Sequence, residues 1–137
     1  MIMNKAKPDL HVSPAPRWER HAAFLEPMLL LLLSREPAHG YRLTEQLTEL
    51  FNVAELPPQT VYRTLQTMEA AHWVTATWEI ERTQAPPRKV YVLTQEGKAA
   101  LGSWFTELEN LRQMLDTVME AYQQSHTLQS KGENPCR

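Results

Sequence analysis

The sequence predicts a mainly α-helical chain that carries one small β-hairpin and ends in a long helix. Three observations predict it. Behind Pro57 and Pro58, the residues Val61, Leu65 and Met68 recur at spacings of four and three, the mark of a short helix with one buried stripe. From Trp73 to Ile80 the period changes to two: Val74, Ala76, Trp78 and Ile80 alternate with polar partners, and Val90-Tyr-Val-Leu93 supplies a second strand. Between Gln95 and Gln124, the residues Leu101, Trp104, Leu108, Leu111, Leu115, Val118 and Tyr122 follow an unbroken heptad seam.

The totals narrow the classes open to such a chain. Its 137 residues suffice for one domain plus an appendage, and 42% hydrophobic residues can fill a compact core. A net charge of −2 excludes a polycation, so a nucleic-acid site must be a local basic patch. The single cysteine, Cys136, excludes an internal disulfide framework and fits a reducing compartment. The apolar run Met28 to Leu33 is too short to cross a bilayer and lies too deep to be a signal peptide, so a cytoplasmic protein without membrane attachment is expected.

In chain order, residues 1–17 hold Pro8, Pro14 and Pro16 without helical period and are expected to form a disordered, slightly basic arm. Such an arm can reach a phosphate backbone or be a plain flexible terminus. The main domain is expected over 18–94. From Trp18 to Ser34 the pattern is apolar, Pro27 marks a kink or a fresh helix start, and Leu29 to Leu33 should be the most buried helix. His39-Gly-Tyr41 opens a second helix to about Phe51, with Leu43, Leu47 and Leu50 inward and Glu45 and Glu49 outward. Gly40 suits a close approach of packed helices, and His39, with no metal-spaced neighbour, suits a turn or cap. A short loop, Asn52 to Leu56, leads into the third helix, and this succession is a helix-turn-helix.

The outer face of that third helix shows Gln59, Arg63 and Gln66 flanked by Thr60 and Thr67, with no acid and no aliphatic side chain. Amide, hydroxyl and guanidinium groups are those that bond base edges and phosphates, although a solvated face has the same look. Between the two strands lies Glu81 to Lys89, a long tip carrying Arg82, Arg88 and Lys89, which reads as a wing lying along phosphates or in a minor groove. Thr94 caps the last helix, expected over 95–124, and residues 125–137 are expected to be disordered. The seam Leu101, Trp104, Leu108, Leu111, Leu115, Val118 and Tyr122 is longer than so small a domain can cover, which points to a homodimer. Phe105, Met114 and Met119 beside Trp104 suit an apolar small-molecule or polymer effector, or else simply fill the dimer core.

Taken together, His39-Gly-Tyr41, Thr60-Val-Tyr-Arg-Thr-Leu65, Arg88-Lys-Val-Tyr-Val-Leu-Thr94 with Glu96-Gly97, and the final helix resemble the PadR family of transcriptional regulators over about residues 24 to 124. The resemblance implies a winged helix-turn-helix dimerised through its last helix, commonly a repressor, with Tyr62 and Arg63 at or near the DNA and the wing flanking it; Tyr41 is counted among the expected DNA-binding residues. The single final helix is similar to the short subgroup, and the Pro-rich arm and the hairpin look most like regulators that sense polyhydroxybutyrate. Ala70-Ala-His72 stands where the family commonly has an acid-acid-Gly run, so the turn before the first strand is expected to differ. The partner implied is duplex DNA with an inverted repeat. The alternative is a winged-helix protein-interaction module that does not bind DNA. No nucleophile motif, phosphate loop, metal spacing or cofactor motif supports an enzyme.

Overall fold

The computed structural model describes residues 19, 21–53, 55–80 and 86–136, with side chains to 127. The expected arm over 1–17, Trp18 and Arg82 lie outside the described residues. After a 3-10 turn at Ala22–Phe24 come α1 (Leu25–Arg35), β1 (Ala38–His39), α2 (Gly40–Phe51), α3 (Pro58–Ala70), β2 (Val74–Glu79), β3 (Arg88–Leu93) and α4 (Gln95–Cys136). The chain divides into two compact units, 1–101 and 102–137.

The first unit is organised around α1. Leu25, Leu29, Leu30, Leu32 and Leu33 are all buried, and Pro27 occupies the first turn, where its missing amide hydrogen costs nothing. Against them pack Leu43 and Leu47 of α2, Val61, Leu65 and Met68 of α3, and Val74 and Tyr91 of the sheet. Leu50 is a correction to the expected stripe. Its angular position is right, but it lies in the last turn of α2, where no described neighbour covers it, and it is 53% exposed.

The sheet has three antiparallel strands in the order β1-β3-β2. Register runs from Val74 opposite Leu93 to Glu79 opposite Arg88, while Ala38 and His39 face Tyr91 and Val90. The hairpin therefore corrects the expected tip, because pairing reaches Arg88 and places both Arg88 and Lys89 inside a strand. The two-residue β1 escapes sequence patterning, since no period can be read from two residues.

The turn after α3 also departs from the glycine norm. The amide of His72 donates to Glu69 O at 3.0 Å and that of Trp73 to Met68 O at 2.9 Å, the paired bonds of a Schellman cap. His72 holds the left-handed position, φ 64°, that the motif assigns to glycine. Replacing His72 with glycine should raise stability by about 0.5–1 kcal/mol net, the relief of left-handed strain less glycine's freedom in the unfolded chain. A fall in the thermal midpoint of His72→Gly would contradict this.

Thr94 caps α4: its Oγ1 accepts from the Gly97 amide at 2.9 Å, while its own amide donates to Trp73 O at 3.0 Å. The helix does not stop at Gln124 as expected. It continues to Cys136, carried through Ser125 by the stacked pair Tyr122 and His126, ring centroids 5.8 Å apart, and by Thr127 Oγ1 donating to Gln123 O. No residue between Gln124 and Gly132 breaks a helix, which is why polarity alone misplaced its end. In the second unit Leu115, Val118 and Tyr122 are 55%, 59% and 68% exposed, and Met114 and Met119 are exposed as well.

Candidate nucleic-acid interface

The site is built from α2, α3 and the first residues of β3. Pro57 and Pro58 start α3 with preset φ and no amide to leave unpaired, and Thr60 N donates to Pro57 O at 3.0 Å. Burial of Val61, Leu65 and Met68 then fixes the rotation of the helix, so Gln59, Tyr62, Arg63, Gln66 and Thr67 face outward and Thr60 is half-buried. No acid stands among the exposed residues of α3. Glu69, half-buried on the flank, is held by Lys89 at 3.2 Å.

The Tyr62 ring lies against the head of α2. A Cβ on Gly40 would lie 2.7 Å from Tyr62 Cζ and 2.9 Å from its hydroxyl, so only glycine lets the ring lie there. That explains why Gly40 precedes Tyr41, which is itself 65% exposed beside the same spot.

His39 is the N-cap of α2. Its Nδ1 accepts from the Arg42 amide at 3.3 Å, and its ring stacks on Tyr41 with centroids 6.5 Å apart. Across the sheet, Arg88 reaches His39 Nε2 at 3.2 Å and Glu79 at 3.3 Å. Lys89 Nζ lies 5.7 Å above the Tyr91 ring. Burial pushes the Tyr91 phenol up, against the pull of Lys89, and keeps it a neutral core group.

The structure thus gathers Tyr41, Tyr62, Arg88 and Lys89 around one cleft beside the exposed face bearing Gln59, Arg63 and Gln66. The linkage of His39 to Arg88 was invisible in the sequence, because 49 residues separate them and only the β1–β3 pairing brings them together. The seam residues Leu101, Trp104, Leu108 and Leu111 are half-buried and Phe105 is exposed. Among the described residues no group of three or more His, Cys, Asp or Glu could hold a metal ion, and no helix is long and apolar enough to cross a membrane.

Three helices, a helix-turn-helix pair among them, and a hairpin define the winged helix-turn-helix fold, and the proteins this chain matches are transcriptional regulators, which are not enzymes. More particularly, residues 29–103 match the model of the transcriptional regulator PadR-like family, and the chain belongs to that family. A probable transcriptional regulator of Mycobacterium tuberculosis is 31% identical over 80 residues, which cover 58% of this chain and 42% of that protein's length. Among solved structures, a PadR-like transcription factor from Bacteroides fragilis is 29% identical with a TM-score of 0.59, covering 73% of this chain and 94% of the other. Bacillus subtilis PadR, solved with operator DNA, is 25% identical with a TM-score of 0.54, covering 60% and 46%.

Proposed function

We propose that this regulator binds duplex DNA sequence-specifically as a homodimer, through α3 in a major groove and the start of β3 along the backbone. The observation that carries the reading is the acid-free exposed face of α3, with Gln59, Arg63 and Gln66 in line and the Arg88–Lys89 strand beside it. Its side chains match base-edge chemistry: guanidinium to guanine and amide to adenine. A two-fold dimer presents two such helices, so the operator is an inverted repeat. That Bacillus subtilis PadR was solved in complex with operator DNA supports DNA as the partner.

Arg63→Ala tests it. Selection of bound sites from random duplexes supplies an operator, and the variant should lose about 1–3 kcal/mol of affinity for it while binding random duplex as before. Equal losses on both would make Arg63 a phosphate contact only. Arg82 joins Arg88 and Lys89 as a backbone contact in this reading, and Tyr41, Thr60, Tyr62 and Thr67 line the approach.

Repression relieved by an apolar effector completes the proposal. Trp104, Phe105, Met114 and Met119 bring aromatic and thioether surface to the seam, and such groups suit an apolar molecule or polymer. The effector must favour a dimer whose recognition helices are mis-spaced, since equal affinity for both geometries shifts nothing. In Trp104→Ala, release of operator by such a compound should be lost while operator binding without it persists. Unchanged release would place the effector elsewhere.

A further inference from the structure

The cleft of about 270 Å³ between the head of α2 and the start of β3 is lined by His39, Gly40, Tyr41, Tyr62, Pro87, Arg88 and Lys89. We propose that it seats one backbone phosphate of duplex DNA and that His39 makes its occupation proton-linked. The inference rests on the DNA-binding reading above and adds its regulation.

Apart from Pro87, the lining side chains bear hydroxyl, imidazole, guanidinium and ammonium groups with no carboxylate among them, the donor set that suits a phosphate. The two nearby acids are engaged with the cations: Glu79 with Arg88 at 3.3 Å and Glu69 with Lys89 at 3.2 Å. His39 is the member whose charge can change. A neutral imidazole offers one acceptor nitrogen, yet two donors address this ring, the Arg42 amide at Nδ1 and the Arg88 guanidinium at Nε2. With the proton on Nε2 the helix cap is made and Arg88 faces an N–H; with the proton on Nδ1 the reverse holds. No tautomer satisfies both.

A phosphate in the cleft resolves the conflict. It accepts from Arg88 and from His39 Nε2–H together, leaving Nδ1 to the cap. The charged and titratable groups around the ring are Tyr41 and Arg42 of α2, Tyr62 of α3, Arg88 and Lys89 of β3, and Glu79 of β2 through Arg88. Arg42 is itself held by Glu45 and Glu49 at 3.4 and 3.7 Å, so the nearest cation with its head on the ring is Arg88. In the Nε2–H tautomer, the one that keeps the cap, protonation forfeits the Arg42 bond with or without DNA, so that cost is common to the two states. What differs is the anion, which stabilises the imidazolium only in the complex. Binding therefore takes up a proton from the buffer and returns it on release, and affinity rises as pH falls.

A random 30-base-pair duplex is a sufficient probe, because a phosphate seat is indifferent to sequence. Fluorescence anisotropy at fixed ionic strength should show the full-length protein binding it up to about tenfold more tightly at pH 6 than at pH 8. His39→Asn keeps a capping side chain but cannot titrate, and its ratio of affinities should fall well below that of the parent. His39→Ser serves the same purpose if the asparagine variant does not melt cooperatively. Calorimetry at pH 7 in two buffers of different ionisation enthalpy should show fractional proton uptake for the parent that is missing in the variant. Equal pH ratios, or equal proton uptake, for parent and variants overturn the inference and leave the DNA reading standing. No duplex binding by the parent at either pH overturns both.

Discussion

Changing Leu108 and Leu115 together to glutamate is expected to turn a dimer into a monomer and to reduce operator affinity at least about 100-fold, the avidity lost when one of two half-sites is no longer tethered. The reason lies in the second unit. Leu115 is 55% exposed within a single chain, so a carboxylate there costs little until another copy covers it. Across an apolar seam the same carboxylate has no partner, and burying it unpaired is prohibitive. Sedimentation should give twice the chain mass of 15.9 kDa for the parent and that mass for the double variant, with the helix signal of the free chain retained. A parent protein that sediments as a monomer at micromolar concentration removes the basis of the prediction and of the inverted-repeat operator with it.

The second large effect is on stability, at Gly97. This residue is buried in the first turn of α4, where a Cβ would run into the Trp73 carbonyl oxygen and lie 3.1 Å from Leu93 Cγ. The Trp73 oxygen cannot retreat freely, because it accepts from the Thr94 amide at 3.0 Å. Gly97→Ala should therefore cost about 1–3 kcal/mol of overpacking, only partly offset by alanine's better helix propensity. For a domain of this size the thermal midpoint should fall by roughly 4–8 °C per kcal/mol. Gly102→Ala is the internal control: nothing lies within 4 Å of its Cβ, so helix propensity acts alone and the midpoint should rise. If both variants moved the midpoint upward, the close approach of α4 to the hairpin base would be wrong.

Much of this architecture was legible in the residues because it follows from local periods. The 4–3 spacing of Val61, Leu65 and Met68 specifies a helix and its buried face, and thereby the outward face of Gln59, Arg63 and Gln66. The alternation from Val74 to Trp78 specifies a strand, and Thr94 at the head of the last helical period specifies a cap. His39, with no metal-spaced neighbour, was expected at a turn or a cap, and it caps α2.

What the sequence determined by itself, then, was the type of the four helices and of β2 and β3, most of each apolar stripe and the order in which they occur, since residues two to four apart decide these together. Tertiary structure alone decided where strands begin and what the polar groups do. Arg88 and Lys89 look like residues of a free loop until β3 pairs with Glu79 on one side and His39 on the other, which no local pattern encodes. Leu50 carries the right period and stays exposed because burial depends on where neighbouring helices end. His72 takes a left-handed φ because Met68 and Val74 are anchored in the core on either side of it, and the burial of both flanks outweighs the preference of a single residue.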